Sequence, residues 1–392
     1  DVALIYEGTP VITTQGRIDQ RPISLPMLDI HTVSAGGGTI SRIDAVGGLQ
    51  VGPDSAGADP GPICYDHGGE EVTITDANLV LGVLNPDKFL GGRLKLSKAK
   101  AERLLEEKIA CPLGLSPLEA ADGILKIVNV KMEEAIKAVS SQRGYDIRDF
   151  TLVAFGGAGP MHAGRIALDL GIPSLLIPFT PGVTSALGLL MSDVKHDYVR
   201  SKLAPLKGLD LEEINNLFSQ LTAQAKADLQ AEGFNDSEME LHAFLDLRYA
   251  GQGYELTVPS PMPPLKATDM DLMRQRFDRQ HEQAHGHKAE SEPVELVSLR
   301  LVSVGLVPQA KLSPVTPTGR KLEAARTGER EIFFGREHGI LNCQIYSRDL
   351  LEPGHRIVGP AVIEQMDTTT VIHPEQEATV DNYRNLTVRE KE

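Results

Sequence analysis

Tryptophan is absent from this 392-residue chain, and aromatic residues make up only 5% of it. Cysteine is nearly as scarce. Cys64, Cys111 and Cys343 form no CxxC pair, and an odd number cannot all pair within the chain. That excludes a disulfide framework and fits a reducing compartment. Cys64 lies in a Gly/Pro loop where a catalytic thiol is conceivable, but a free, unreactive cysteine is the favoured reading. Positive charge is in deficit as well, 39 Lys and Arg against 54 Asp and Glu, a net −15. Nucleic acid and anionic membrane surfaces need local positive charge, so neither is expected as the main partner. No apolar run approaches the length of a membrane span. The acidity reads as the surface of a soluble cytoplasmic enzyme. Internal repeats and low-complexity tracts are also missing.

What is present is an ordinary core-forming complement, 41% hydrophobic residues, with many turns implied by 37 glycines and 25 prolines spread along the chain. The length suggests two or three domains at roughly 150 residues each. The chain opens on Asp1-Val-Ala-Leu-Ile-Tyr6, which reads as a strand, then a turn at Glu7-Gly8-Thr9 and a returning strand over Val11 to Thr14. A start inside a buried-looking strand, with no methionine, is expected to mean that this is the C-terminal part of a longer protein.

Residues 29–92 are dense in Gly, Pro and Asp, a length of loop that is usually functional in a compact domain. Two helices follow, one from about Ser97 to Ala110, the next opened by the capping box Ser116-Pro-Leu-Glu119 with proline at its first position. Leu118, Ala121, Leu125, Val128, Met132, Ala135 and Val139 give that second helix one buried stripe, and Gly144 is its expected stop. Thr151–Phe155 is expected as an inner strand, followed by the loop Gly156-Gly-Ala-Gly159, a helix from Pro160 to about Leu170, and a strand from Ser174 to Ile177. This strand–glycine loop–helix–strand order marks an α/β domain. A short helix is expected over Thr184–Leu190. The character changes near Val199. A polar amphipathic helix is expected over 210–231, a period-two strand over Leu241–Tyr249 turned by Gly251-Gln-Gly253 into Tyr254–Val258, a helix over about Ala267–Ala284, and a long β segment over Pro293–Val307. Short strands and turns fill the remainder. The division is therefore 1–198, 199–310 and 311–392, an α/β domain, an α+β region and a β-rich end.

Three places could carry chemistry. Gly156 to Gly159 lets a backbone approach a ligand at a helix N-terminus. It lacks the spacing of a dinucleotide fingerprint and the lysine of a P-loop, and a tight strand-to-helix turn explains it equally well. The loop Gly36-Gly-Gly-Thr39 is costly to order and favours a phosphate or substrate loop over a plain hairpin. Asp29 and His31 would share one face of a strand, where a carboxylate and an imidazole could exchange a proton or bind a divalent metal, with Asp59 approaching from its loop. An Asp–His hydrogen bond at a strand end competes with that metal role. His281, His285 and His287 read as surface residues, Asp76 as a helix N-cap, and His162 as either a ligand contact or a packing residue.

Several long motifs resemble one family. Asp29-Ile-His-Thr-Val-Ser-Ala-Gly-Gly-Gly-Thr-Ile40, Val51-Gly-Pro-Asp-Ser-Ala-Gly-Ala-Asp-Pro-Gly-Pro-Ile-Cys-Tyr65, Thr75-Asp-Ala-Asn-Leu-Val-Leu-Gly82, Arg143-Gly-Tyr-Asp-Ile-Arg-Asp149, Leu152-Val-Ala-Phe-Gly-Gly-Ala-Gly-Pro-Met-His-Ala163 and Pro181-Gly-Val-Thr-Ser-Ala-Leu-Gly188 are similar, in order, to the hydantoinase A/5-oxoprolinase family. Arg248-Tyr-Ala-Gly-Gln-Gly-Tyr-Glu-Leu256 and Gly359-Pro-Ala-Val-Ile-Glu-Gln365 resemble its C-terminal region.

The resemblance implies an actin-like ATPase fold of the acetate and sugar kinase type, here a partial domain followed by an α+β C-terminal region. It makes Gly156, Gly157, Ala158 and Gly159 the adenosine loop, and it places the family's two phosphate loops before Asp1 or ending on it. It implies ATP with Mg²⁺ or another cation, and ATP-driven opening of a cyclic amide such as hydantoin or 5-oxoproline. Phosphorylation of the amide oxygen would make the carbonyl carbon open to water. The expected partner is a hydantoinase B-like subunit, within an oligomer. A ketone carboxylase subunit is the competing enzyme. A non-catalytic docking fragment, inactive alone without its phosphate loops, is the competing reading of another class.

Overall fold

The computed structural model describes the chain except residues 14, 15, 19, 20, 24–26, 290, 310 and 392, with the side chains of 17, 18, 22, 23 and 283–285 also left aside. The chain divides into two compact units, residues 1–186 together with 312–392, and residues 187–311. The β-rich end expected over 311–392 thus packs into the first unit. The architecture is mixed α/β, as expected.

In the first unit the expected opening strand is broken into the pairs Val2–Ala3 and Ile5–Tyr6, with Glu7 and Gly8 turning the chain at positive φ. Thr9–Pro10 forms the return on Ile5–Tyr6, whereas Ile12–Thr13, within the expected return strand, pairs with Met27–Leu28, and Thr14 lies outside the described residues. The Gly-rich stretch holds more regular structure than its composition suggests, a hairpin of β1 (Thr39–Ile43) and β2 (Leu49–Ser55) and a helix α1 (Ile74–Val80). Next come α2 (Lys98–Leu105), which runs on as a π turn to Ala110, and α3 (Pro117–Val139). Ser116 and Glu119 form the reciprocal cap that their spacing requires, the serine hydroxyl accepting from Glu119 N at 3.3 Å and the carboxylate from Ser116 N at 3.1 Å. Helix α3 ends at Val139, five residues before Gly144, because the backbone turns out of helical geometry at Ser140. Its apolar stripe packs with α1 and α2 around Ile74, Leu79, Leu105 and Ile124, all fully buried. Each such side chain contributes roughly 1.5–3 kcal/mol of transfer free energy.

The chain continues through β3 (Thr151–Val153), α4 (Gly159–Leu170) and β4 (Ser174–Ile177), with Gly171 closing α4 in the left-handed conformation. The expected short helix is present over Thr184–Leu190. Strands β3 and β4 pair in parallel, with α4 as the connection between them.

Among its described residues the second unit is built on one antiparallel sheet and two long helices. In chain order it comprises β5 (Val194–Pro205), α5 (Leu211–Ala231), β6 (Met239–Tyr249), β7 (Leu256–Ser260), α6 (Ala267–His285) and β8 (Val294–Gly305), and the sheet order is β5-β8-β6-β7. Ala243, Leu245, Leu247 and Tyr249 of β6 alternate into a core with Ile214 and Phe218 of α5 and Phe277 of α6. His281, expected at the surface, is buried in this unit. Its Nδ1 is 2.8 Å from the His287 carbonyl, its Nε2 is 3.0 Å from Gln252 Nε2, and its ring packs on Tyr249. The helical face bearing it turns inward, which histidine spacing alone does not disclose.

Residues 312–392 return to the first unit as β9 (Arg326–Phe333), β10 (Ile340–Ser347), β11 (Arg356–Val358), β12 (Ala361–Glu364), β13 (Thr369–Ile372), β14 (Gln376–Val380) and β15 (Leu386–Glu390). They build a four-stranded sheet, β9-β10-β12-β13, and complete a five-stranded one, β3-β4-β15-β14-β11. Strand β3 therefore lies at an edge of the sheet, not inside it as expected, and Val153 is 45% exposed. An inner strand and an edge strand of a parallel pair have the same apolar sequence, so composition could not separate them.

Candidate functional site

A cavity of about 280 Å³ opens in the first unit where three segments distant in sequence meet. Gly37 of the triple-glycine loop stands on one side, Gly157 and Ala158 on another, and the turn from Glu364 to Thr369, between β12 and β13, on a third. Tyr65 and Phe89, with ring centroids 5.7 Å apart, supply an apolar wall, and Thr75 and Lys88 polar groups.

The glycines are required by what surrounds them. A Cβ at Gly37 would come within 2.7 Å of Thr75 Oγ1, and one at Gly38 within 2.9 Å of Ser55 Oγ. Thr75 holds the loop by two bonds to the Gly37 carbonyl, from its N–H and its hydroxyl, each 2.9 Å. Thr39 turns its hydroxyl back to accept from Gly36 N at 3.0 Å, so it caps its own loop. Gly156 adopts φ +85°, closed to most side chains, and its N–H donates to Pro181 O at 2.8 Å.

Asp76 is not the N-cap of α1. Thr73 is, and Asp76 is the third helical residue, completing a capping box. Its fully buried carboxylate also accepts from Ile63 N at 3.2 Å and Cys64 N at 2.8 Å, fixing the chain that presents Tyr65. Burial drives the Cys64 thiol far above its ordinary range and the nearby Asp76 charge pushes the same way, which makes the cysteine inert.

At the far edge of the cavity, Glu364 is held from behind. Arg330 donates to its Oε1 at 2.8 Å and Asn85 at 3.2 Å, while Lys88 Nζ stands 3.7 Å from Oε2. Arg330 also bonds the carbonyls of Gly82 and Val83. This tie joins segments nearly 250 residues apart beside the cavity.

The sequence-derived candidates separate into two groups. Gly37, Gly157 and Ala158 share the cavity. Gly36, Gly38, Thr39, Gly156 and Gly159, in the same two loops, do not line it, and neither do Asp29, His31 and Asp59. Asp29 is buried and ion-paired with Arg143, whose Nη2 donates to Oδ1 at 3.0 Å, whereas His31 is exposed. Neither the shared strand face nor the Asp29–His31 hydrogen bond forms, because Asp29 sits between two separate two-residue strands and turns toward the C-terminal end of α3. Asp59 is exposed beside Pro60. Among the described residues no group of three or more His, Cys, Asp or Glu side chains is arranged to hold an ion, so these three do not fit a common metal. His162 packs. It is buried, its Nδ1 lies 2.9 Å from Asn129 Oδ1, and burial lowers its pKa to about 4.

The residues that sequence reasoning passed over are Tyr65, Thr75 and Lys88 and the turn Gln365-Met-Asp-Thr-Thr369. The polar run Asp367-Thr-Thr-Thr370, two residues after the strand Ala361–Glu364, is the available signal.

The hydantoinase/oxoprolinase family matches residues 1–198, and the hydantoinase/oxoprolinase C-terminal domain matches residues 207–391. The subunit alpha of caprolactamase from Pseudomonas jessenii is 36% identical over 97% of this chain and 55% of its own length. The gamma subunit of acetophenone carboxylase from Aromatoleum aromaticum is 35% identical over 98% of this chain and 54% of its own. 5-Oxoprolinase 1 of Arabidopsis thaliana is 30% identical over 98% of this chain and 31% of its own. Among solved structures, nucleotide-free acetone carboxylase superposes with a TM-score of 0.87 at 28% identity, covering 98% of this chain and 56% of that one. ATP-dependent caprolactamase from Pseudomonas jessenii superposes at 0.78 and 34% identity, covering 97% and 56%. The chain spans about half the length of the first curated relatives it matches. With both family regions matched in order and a fold shared with two of its enzymes, the chain belongs to the hydantoinase/oxoprolinase family.

Proposed function

We propose that the protein containing this chain is an ATP-dependent cyclic amidohydrolase that works with a hydantoinase B-like subunit. The observation that carries this reading is the meeting of Gly37 with Gly157 and Ala158 on one cavity. Two glycine loops with little side-chain bulk let a ligand approach the backbone closely, and the second opens helix α4. The nucleotide's adenosine end belongs against Gly157–Ala158, with the Tyr65 and Phe89 wall providing an apolar boundary. ATP supplies the driving chemistry, transfer of a phosphoryl group to the amide oxygen, with Mg²⁺ as the counter-ion of its phosphates. This chain's residues orient the ligand and exclude water from the ring face. His31, exposed and with no side-chain partner among the described residues, is assigned proton transfer, and Asp29, committed to Arg143, is a structural support.

The relatives named for caprolactam and 5-oxoproline favour a lactam as substrate. The TM-score of 0.87 with acetone carboxylase supports one second reading, a ketone carboxylase subunit. Phosphate release by the complete protein with its partner subunit separates the two. Stimulation by caprolactam, hydantoin or 5-oxoproline supports the first. Stimulation by acetone or acetophenone with bicarbonate, and by no lactam, replaces it with the second.

A further inference from the structure

The turn between β12 and β13 holds the Gly157 loop, beside which the proposed nucleotide would lie, and the neighbouring loop at Phe179–Gly182. Three of its side chains reach across to residues about 180–210 positions earlier. Gln365 Nε2 donates to Phe179 O at 2.9 Å, Asp367 Oδ2 accepts from Gly182 N at 2.9 Å, and Thr368 Oγ1 donates to Gly157 O at 2.9 Å. The turn is itself closed by Gln365 N donating to Thr368 O at 3.0 Å. Thr368 is buried. The fit is close, since a Cβ on Gly182 would run into the Asp367 side chain and one on Gly157 would touch the Asp367 carbonyl at 3.5 Å. The Gly156 N–H, bonded to Pro181 O, links the two clasped loops to each other.

We infer that Asp367 and Thr368 are positioning residues for ligand binding, clasping the loops at Gly157 and Gly182 so that the Gly157–Ala158 backbone keeps its face to the cavity. The inference rests on the reading of that cavity as the nucleotide site. The peptide after Gly157 can rotate, because neither Gly157 nor Gly156 carries a side chain to fix it. The Thr368 hydroxyl anchors the Gly157 carbonyl and thereby sets where the next N–H points. The site is then composite, its floor from the N-terminal family region and its clasp from the C-terminal one, residues 207–391.

The test is nucleotide affinity, with the complete protein and its partner subunit titrated with ADP. Thr368→Val preserves shape and removes the hydroxyl, and it should weaken ADP binding by up to about tenfold, the upper end of what one hydrogen bond contributes. In turnover the loss should fall on the KM for ATP more than on kcat. Thr368→Ser restores the donor and should recover most of the affinity. Asp367→Ala should also weaken binding, and Asp367→Asn, which keeps an acceptor oxygen for Gly182, should weaken it less. If Thr368→Val does not fold, the Ser, Asn and Ala variants still order themselves by the bonds they keep. Wild-type affinity in Thr368→Val or in Asp367→Ala, with only a lowered melting temperature, overturns the positioning role and leaves the nucleotide site standing. Absence of ADP binding by the wild-type protein overturns the nucleotide reading, and the positioning role with it.

Discussion

Replacing Asp76 with alanine should cost the first unit about 3–5 kcal/mol, although the residue lies on a short helix and touches no ligand. Its carboxylate is fully buried and accepts four bonds, from Ile63 N at 3.2 Å and from Cys64 N, Thr73 N and Thr73 Oγ1 at 2.8 Å each. Truncation strands three backbone N–H groups. A buried donor left without a partner costs roughly 1–3 kcal/mol, and hydrogen bonds to a charged acceptor stand at the upper end. The three losses do not add fully, because the Ile63–Tyr65 turn can relax toward water. Hence the total falls below their sum. Asp76→Asn keeps one oxygen but turns an NH₂ toward these donors, and it should lose nearly as much. Urea unfolding followed by far-UV circular dichroism, with m-values compared, measures the difference. A loss under about 1 kcal/mol in Asp76→Ala would refute the argument that this carboxylate organises the turn presenting Tyr65.

The buried His162 and the partly buried His373 each have a pKa lowered to about 4, chiefly by desolvation, so both stay neutral in the folded protein where the unfolded chain binds protons near pH 6.5. The stability they contribute is present above about pH 6.5 and is lost as pH falls toward 4, by up to roughly 3 kcal/mol for each, and unfolding free energies that stay level between pH 7 and pH 4.5 would contradict this. His31→Ala should lower turnover of the complete enzyme about a hundredfold without unfolding it, since no large apolar group is lost, and normal specific activity would remove His31 from the chemistry.

Much of this architecture could be read from local patterns. The capping box at Ser116, the period-two alternation of β6, and the glycine loop between β3 and α4 are each fixed by neighbours within a few residues, and each appears where the sequence implies. Position within a sheet is a different matter. The five-stranded sheet joins β4 to β15 through Leu175 opposite Val388, a pairing across more than 200 residues that no local period encodes. The same distance hid the third wall of the cavity, because Asp367 and Thr368 acquire meaning only when they meet Gly182 and Gly157. The strand face shared by Asp29 and His31 failed for a related reason. Arg143, more than a hundred residues away, captures Asp29 and breaks the alternation that the spacing suggests.

The central claim is that the cavity bounded by Gly37, Gly157 and the Glu364–Thr369 turn receives the nucleotide. Photolabelling of the complete protein and its partner subunit with 8-azido-ATP, followed by peptide mapping, tests it directly. The account predicts covalent label on the peptides that carry Tyr65, Met161 or Met366, all of which line the cavity, and loss of that label under excess ATP. Label that ATP displaces only from peptides elsewhere would contradict it.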